Sequence, residues 1–251
     1  MNWAAQLPMV RPALLEQAKH VTLILPYYLN AQFLRRQVSW WRTFPAHVRT
    51  HLSAIIVDDG SPIPAAPVLQ ECLAVDRPFP IRLFRVQVDV PWNWITARNI
   101  GFDQCAEGWC LVTDMDHVLP ASSAEALVYG AHDPEKVYAL SRVEHTGQPI
   151  HPHSASFFLT RRMFWKVGGY DERYSGHYGS DGKYRKRLLA AAPVRLLADR
   201  LIRHEYDEDS STMTLARKSP ADNEAIARIA ATIAPGTQPL TLCFPFEEVP
   251  L

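Results

Sequence analysis

Short apolar runs that end in polar or acidic residues are the feature that most constrains the fold of this chain. Residues 21–28 (VTLILPYY), 53–62 (SAIIVDDGSP) and 109–116 (WCLVTDMD) each begin as strand-like sequence and end in polar side chains. The stretches 31–44 and 95–108 lie between these runs and have helix-like sequence. Such alternation predicts an α/β fold with a mostly parallel central sheet flanked by helices.

The remaining segments extend this pattern less regularly. We expect a half-exposed strand at 81–90, a strand followed by a short helix and a Gly-Gly turn within 153–174, a helix at 179–192, one or two strands within 194–207 and a helix at 221–234. The final residues, PGTQPLTLCFPFEEVPL, are predicted to pack as an extended strap.

The overall charge limits the classes of ligand. The 251 residues include 26 basic and 26 acidic side chains, so the formal net charge is zero. A neutral chain is not held to nucleic acid mainly by bulk electrostatics, although a local basic patch remains open.

Cysteine spacing and hydropathy indicate the compartment. The four cysteines show neither the pattern of a disulfide framework nor the close pairs of a zinc site. No segment is long and apolar enough to span a bilayer, and the N-terminus lacks the form of a signal peptide. We therefore expect reduced thiols and a cytoplasmic protein.

Two acidic strand ends predict a shared site. In an open parallel sheet, ligands bind beyond the carboxyl ends of the strands, where Asp58, Asp59, Asp114 and Asp116 are expected. Residues two apart in an extended chain face the same side, so Asp114 and Asp116 can meet one bound object. A Mg²⁺ or Mn²⁺ ion holding a diphosphate would offset the cost of desolvating them. The alternative is a solvated acidic loop.

The order of the motifs resembles a known family. VDDGSP, ARNIGF, TDMDHVLP and GGYDERYSGHYGSDGKYRKRL follow one another along the chain. This ordered set resembles the nucleotide-sugar glycosyltransferases of the GT-A fold, especially glycosyltransferase family 2, over roughly residues 20 to 205. The resemblance implies a GT-A (Rossmann-like), mostly parallel central sheet with a smaller acceptor-side subregion.

The resemblance implies a set of donor contacts. Asp58 or Asp59 would hydrogen-bond the base or ribose of the donor nucleotide, beside the backbone of Pro26 and Tyr27. Arg98 would brace these acids or the nucleotide, or else form a structural salt bridge to Asp59.

The resemblance also implies metal ligands. Asp114 would lie near the ribose or the metal, Asp116 would bind Mn²⁺ or Mg²⁺ directly, and His204 would complete the metal shell. A satisfied core or surface histidine is the other reading of His204. His117 is a weaker candidate, because an extended chain would point it away from Asp116.

The predicted general base is Asp181. Family members usually have Glu-Asp at the start of this helix, whereas this chain has Ser180 before Asp181, which leaves the acceptor contacts in doubt. A carboxylate near a helix N-terminus is stabilised as the anion and can accept a proton, although a plain N-cap is the alternative. We expect 168–169 to form a tight turn that lets the acceptor loop approach the donor sugar. Asp171 and Glu172 are expected to be turn and cap residues.

These roles predict a metal-dependent inverting glycosyltransferase. It would move a sugar from a nucleoside-diphosphate sugar, UDP favoured, to an acceptor hydroxyl of a saccharide, a lipid-linked molecule, a protein or a modified DNA base. We expect one domain over 1–251, with a nucleotide-sugar-binding half at 20–118, an acceptor and catalytic half at 119–207, and a C-terminal lid and strap at 208–251. Arg217 and Lys218 would lie in that lid and close over the diphosphate.

Two alternatives belong to other classes. A non-catalytic nucleotide-sugar binding module would bind donor without turnover, and the missing Glu before Asp181 gives it some support. A sugar nucleotidyltransferase also uses metal-binding acids, but it needs a glycine-rich phosphate loop after the first strand. LPYYLNAQF has no glycine.

Overall fold

A computed structural model gives the fold of the chain. It describes residues 3–4, 6–13, 17–90, 93–177, 179–203 and 220–251, with the backbone alone at 220–222. No helix within these ranges is long and apolar enough to cross a membrane.

Eleven strands in the described ranges form one sheet. They are β1 (Met9–Val10), β2 (Val21–Tyr27), β3 (Leu52–Asp58), β4 (Ile81–Val86), β5 (Trp109–Val112), β6 (His117–Val118), β7 (Val137–Glu144), β8 (Pro149–Ile150), β9 (Phe157–Thr160), β10 (Val194–Arg203) and β11 (Phe246–Val249).

The helices cover the sheet and connect its strands. They are α1 (Ala31–Arg42), α2 (Ala46–Arg49), α3 (Ala65–Leu73), α4 (Trp94–Gln104), α5 (Ala121–Tyr129), α6 (Arg161–Lys166), a 3₁₀ turn (Glu172–Tyr174), α7 (Asp181–Ala191) and α8 (Pro220–Thr232). Pro45, Pro64 and Pro120 each stand directly before a helix, where the ring's fixed φ and missing N–H carry little cost.

The sheet has one half of parallel strands and a second half of mixed strands. The main order is β1-β10-β7-β9-β5-β2-β3-β4-β11, with β6 paired to β10 and β8 paired to β7. Strands β5, β2, β3 and β4 are parallel neighbours. β9 then enters antiparallel between β5 and β7. The parallel strands therefore end at one edge, as the alternating sequence predicts.

Two hydrophobic clusters form the core, one on each face of the sheet. Along β2, Leu23 and Leu25 belong to one cluster and Ile24 to the other, as the period of two in a strand requires. Helix α1 buries Phe33 and Trp41 in the first cluster, which confirms its predicted apolar stripe.

The end of the chain is more regular than an extended strap. It includes the edge strand β11, which pairs antiparallel with β4 from Phe246↔Val86 to Val249↔Leu83. The predicted strand at 81–90 is shorter than expected and ends at Val86. The predicted helix at 95–108 ends at Gln104, not at Gly108.

Candidate active site

The three polar strand ends meet at one edge of the sheet. Tyr27 is in register with Asp58 across β2 and β3. The Asp59 amide donates to the carbonyl of Tyr27 at 3.1 Å, and the Thr113 amide donates to that of Ile24, also at 3.1 Å. The segments that begin at Asp59 and Thr113 therefore leave the sheet on either side of β2, as predicted.

Asp58 organises the turn after β3. Its Oδ1 accepts from the Ser61 amide at 2.8 Å, and its Oδ2 accepts from the Ala65 amide at 2.9 Å and from Arg85 Nη1 at 2.8 Å. The side chain is 1% exposed, and burial raises its pKa despite these donors. Asp58 thus shapes the predicted nucleotide site through the loop that it holds.

Asp59, unlike Asp58, has a carboxyl oxygen without a hydrogen-bond partner in the part of the chain that the structure describes. It is buried, and its Oδ1 has no hydrogen-bond partner among the described residues. Burial, together with the nearby charges of Asp58 and Asp89, raises its pKa well above the ordinary value. An unpaired buried carboxyl oxygen is costly. Of the two predicted nucleotide-binding acids, Asp59 is therefore the one whose carboxyl group has an oxygen without a protein partner within the described ranges.

The end of β2 supplies backbone beside Asp59. The Tyr27 side chain is buried and its hydroxyl donates to the carbonyl of Ile63 at 3.1 Å, so this residue can offer a ligand only its main chain. Pro26 precedes it in β2. Leu29 has a φ of +53°, and its amide donates to Ser61 Oγ at 3.0 Å. The strand end is thus fixed in a shape that a non-glycine residue seldom adopts.

Arg98 is buried on helix α4 and pairs with Asp114, not with Asp59. Its Nη2 donates to Asp114 Oδ1, and its Nη1 donates to the carbonyl of Ala155 and to the Tyr170 hydroxyl, 3.0 Å away. The guanidinium also lies over the Trp94 ring, 4.5 Å from its centroid. The predicted salt bridge to Asp59 is therefore wrong in its partner. Arg98 is 0% exposed and braces the other acidic strand end.

The Asp-x-Asp segment is a turn, not an extended strand. Residues 115–116 are in the turn, which the His117 amide closes by donating to the Asp114 carbonyl at 3.1 Å. The turn brings His117 Nδ1 to 2.6 Å from Asp116 Oδ1. The expectation that His117 points away from Asp116 is thus wrong, because it assumed an extended chain. His117 is buried, and its Nε2 lies 3.0 Å from Arg142 Nη1.

His153 contacts Asp114 and the ring of His117, and it was not singled out from the sequence. Its Nε2 lies 3.3 Å from Asp114 Oδ2, and its ring centroid is 4.6 Å from that of His117. Its Nδ1 lies 2.8 Å from Ser156 Oγ, which in turn lies 2.7 Å from Thr113 Oγ1. Burial lowers the pKa of His153 to about 4 even though Asp114 opposes the shift. His153 is therefore a neutral imidazole near pH 7.

Asp181 is the first residue of α7. Its Oδ2 accepts from Arg185 Nη1 at 2.8 Å, and the same nitrogen donates to the carbonyl of Ser154 at 3.2 Å. Ser180, not Asp181, is the N-cap residue, and it makes no side-chain cap hydrogen bond. The neighbouring carbonyl of Ala155 holds Arg98, so the loop at 153–156 bridges the ion pairs of Asp114 and Asp181.

Asp171 and Glu172 are structural, as predicted. Asp171 caps the 3₁₀ turn and pairs with Arg173 at 2.7 Å. Glu172 accepts from Asn99 Nδ2 at 2.7 Å and from the amides of Leu242 and Cys243, each at 2.8 Å.

The Gly-Gly turn serves packing. Gly168 and Gly169 have φ angles of +83° and +65°. A Cβ on Gly169 would lie 2.9 Å from Asn99 Oδ1, and one on Gly168 would lie 2.9 Å from Pro239. The turn itself is confirmed, and it packs closely against α4 and the C-terminal segment. The approach of the acceptor loop to a donor sugar stays a prediction.

The carboxylate ligands at the Asp114–Asp116 turn suit a divalent metal ion only in part. The two carboxylates are 37% and 14% exposed, and oxygen ligands of this kind hold Mg²⁺ or Mn²⁺ together with substrate phosphates. Within the described residues, however, no three His, Cys, Asp or Glu side chains are grouped to hold a metal. The predicted ligand His204 and the predicted lid residues Arg217 and Lys218 lie outside the described residues.

A cleft opens next to His117, the residue that contacts Asp116. Its volume is about 500 Å³, within the range of ligand pockets. It is lined by Arg142, Glu144, Pro149, Ile150, His151 and Arg203. Glu144 and Arg203 form a bidentate pair across neighbouring strands, with Nε to Oε2 at 2.9 Å. Arg142 joins the cleft to His117.

Comparisons with known proteins agree on the fold. Residues 22–190 match the family model described as Glycosyl transferase family 2. S. aureus TarS 1-349, solved with UDP-GlcNAc, superposes with a TM-score of 0.63 at 14% identity over 84% of this chain and 66% of that one. The mannosyltransferase PcManGT from Pyrobaculum calidifontis, solved with GDP-Man and Mn²⁺, gives 0.61 at 13% identity over 88% and 71%. This chain therefore spans slightly under two thirds of TarS 1-349. No curated protein matches the sequence.

Proposed function

The chain belongs to glycosyl transferase family 2 and has a GT-A fold, and from that membership we propose that it transfers a sugar from a nucleoside-diphosphate sugar to an acceptor hydroxyl. The observation that carries the proposal is the meeting of three polar strand ends at one sheet edge, with Asp59, whose Oδ1 is unpaired among the described residues, on one side and Asp114 and Asp116 on the other. We further propose that transfer requires a divalent ion and inverts the anomeric configuration.

The nucleotide is proposed to bind between β2 and β3. Asp59 Oδ1 would accept a hydrogen bond from the base or ribose, next to the backbone of Pro26 and Tyr27. Asp58 would act through the loop that it holds, because its oxygens already accept three hydrogen bonds. TarS was solved with UDP-GlcNAc and PcManGT with GDP-Man, so these two neighbours do not indicate which nucleotide base this chain binds. We propose UDP as the donor nucleotide.

The diphosphate is proposed to lie against the Asp114–Asp116 turn. Asp116, with Asp114 and His204, would hold Mn²⁺ or Mg²⁺, and the bound ion supplies Lewis-acid neutralisation of charge on the leaving diphosphate. The buried guanidinium of Arg98 donates to one carboxylate oxygen of Asp114 and so fixes the orientation of that side chain. His153 contacts the other oxygen.

Asp181 is proposed as the general base. It lies in the first turn of α7, and Arg185 fixes its orientation. The carboxylate would take the proton of the acceptor hydroxyl while that oxygen attacks the anomeric carbon from the face opposite the leaving diphosphate. One displacement of this kind inverts the configuration at that carbon.

The cleft next to His117 is the proposed acceptor entrance. Its Glu144–Arg203 pair offers adjacent hydrogen-bond acceptors and donors, and Pro149 and Ile150 offer an apolar wall. This combination suits a polyhydroxylated acceptor, because hydroxyls need paired polar partners and carbon-bound hydrogens need apolar contact.

Release of nucleoside diphosphate from UDP- and GDP-sugars, with Mn²⁺ and a panel of saccharide and polyol acceptors, tests the proposal. We expect acceptor-stimulated release by the wild type and at least a hundredfold lower rate for Asp181→Asn with unchanged donor affinity. Asp133→Asn, an exposed acid outside the site, is the matched control. Donor binding with equal rates in Asp181→Asn and wild type would reject Asp181 as the base. Binding without release on any acceptor would favour a binding module.

A further inference from the structure

Two cysteines outside the candidate site lie in contact. Cys105 follows the last residue of α4, and Cys110 lies in β5. Their sulfur atoms are 3.5 Å apart, and both are free thiols in the structure. Cys105 is 7% exposed and Cys110 is fully buried. None of the roles proposed for the transferase uses either residue.

The environments of the two sulfurs differ. The hydrogen bond from Cys110 and the positive charge of Arg161 lower the pKa of Cys105. Burial and the bond to Cys105 raise the pKa of Cys110. Arg161 is held next to the pair, since its Nε donates to the carbonyl of Phe102 at 2.8 Å, and Cys105 Sγ lies 3.3 Å from that same oxygen. The pKa of Cys105 is thus shifted down and that of Cys110 up, and an attacking and a resolving cysteine differ in the same sense.

The chain between the cysteines has room to adjust. Residues 106–108 are exposed, and Cys105, at the start of this surface loop, is 7% exposed. Gly108 has a φ of +139°, and nothing lies within 4 Å of the place where its Cβ would be. A disulfide requires sulfur atoms about 2.05 Å apart, so the two must close by about 1.5 Å. A short exposed loop with an unpacked glycine can absorb a movement of that size.

We propose that Cys105 and Cys110 form an oxidation site that closes to an intrachain disulfide when the protein meets a peroxide. The Cys105 thiolate attacks one peroxide oxygen, the O–O bond breaks, and the second oxygen leaves as water after protonation. The sulfur of Cys110 then attacks the Cys105 sulfenic acid. The S–O bond breaks, the Cys110 proton leaves with the hydroxyl as water, and the S–S bond forms. Two thiols lose two electrons in total, and one hydrogen peroxide becomes two waters.

The bond would join α4 to β5 at the ends remote from the candidate site. Helix α4 carries Arg98, and β5 leads directly to Asp114. The disulfide would form at the C-terminal end of α4 and at the start of β5, seven positions after Arg98 and four positions before Asp114. We therefore expect oxidation to leave nucleotide binding intact.

Treatment of the full chain with hydrogen peroxide, followed by thiol counting and peptide mass spectrometry, tests the proposal. We expect the four thiols to fall to two, a mass loss of about 2 Da in the peptide spanning both residues, and recovery with dithiothreitol. The double variant Cys72→Ser/Cys243→Ser is the matched control and should lose both of its thiols. In Cys110→Ala, dimedone should trap Cys105 as the sulfenic acid.

Two results would overturn the proposed disulfide. Retention of free thiols at Cys105 and Cys110 after peroxide, measured once the protein is unfolded, would overturn the proposal. A cross-link that instead involves Cys72 or Cys243 would also overturn it. Cys105→Ser should keep its circular dichroism spectrum and form no disulfide, so loss of the bond can be separated from loss of the fold.

Discussion

Replacing Asp114 with asparagine should destabilise the protein much more than the same change at Asp116. Arg98 is 0% exposed and has Asp114 as its anionic partner, whereas Asp116 contacts an imidazole. Asp114→Asn therefore leaves a guanidinium buried without a counter-charge. Asp116→Asn removes a carboxylate that contacts the imidazole of His117 and leaves the Arg98–Asp114 pair in place.

The structure sets the size of this difference. Removing one member of a buried ion pair costs about 3–5 kcal/mol. Asp114 is 37% exposed, and Arg98 keeps the carbonyl of Ala155, the Tyr170 hydroxyl and the face of Trp94. These contacts place the expected loss at about 2–3 kcal/mol for Asp114→Asn, against less than about 1 kcal/mol for Asp116→Asn.

Thermal unfolding followed by circular dichroism measures both variants. For a chain of this size each kcal/mol moves the melting temperature by about 2–4 °C, so Asp114→Asn should melt about 4–12 °C below the wild type. Asp116→Asn should stay within about 4 °C. Equal melting temperatures for the two variants would refute the reasoning, since Arg98 would then not depend on Asp114 for its charge balance.

Three further predictions concern other parts of the molecule. Burial lowers the pKa of His132 in the folded protein to about 3. As the pH falls below about 6.5, the imidazole is protonated in the unfolded chain but not in the folded one, so the free energy of unfolding decreases. Between pH 7 and pH 5 the wild type should lose about 2 kcal/mol more than His132→Phe in urea titrations, and equal losses would contradict the shift. Gly169→Ala should cost about 2–3 kcal/mol in the same titrations, because it adds a clash 2.9 Å from Asn99 Oδ1 to the strain of a positive φ. Gly236→Ala, with φ +82° and nothing within 4 Å, should cost about 1 kcal/mol, and equal costs would argue against the clash. Glu172→Gln should speed proteolysis within residues 240–249, because Glu172 accepts two amide protons from that segment; an unchanged cleavage pattern would show that β11 alone holds it.

The sequence predicts the sheet and the meeting of its strand ends because both follow from local patterns. Short apolar runs that end in polar residues, and a helix with an apolar stripe, identify β2, β3, β5 and α1 close to their observed bounds. Parallel neighbours then bring their carboxyl ends to one edge without further information.

The side-chain contacts within the site could not be predicted from these local sequence patterns. Whether Arg98 meets Asp59 or Asp114 depends on the rotation of α4 against the sheet, which sequence periodicity does not give. His117 turns toward Asp116 because a tight turn replaces the extended chain that the spacing suggested. His153 reaches Asp114 from a loop 39 positions further along the chain, and its only sequence signal was the histidine-rich stretch HTGQPIHPH.

Donor binding measured by thermal shift tests the central claim most directly. UDP, GDP, CDP and TDP, each with and without Mn²⁺, would be added to the wild type, to Asp116→Asn and to the control Asp133→Asn. At a hundredfold excess over its dissociation constant, a ligand stabilises the fold by about 2.7 kcal/mol, which is about 5–11 °C here. The account predicts such a shift for one nucleotide, dependent on Mn²⁺, kept in Asp133→Asn and lost in Asp116→Asn. No shift with any diphosphate in the wild type would contradict a nucleotide site at the acidic strand ends.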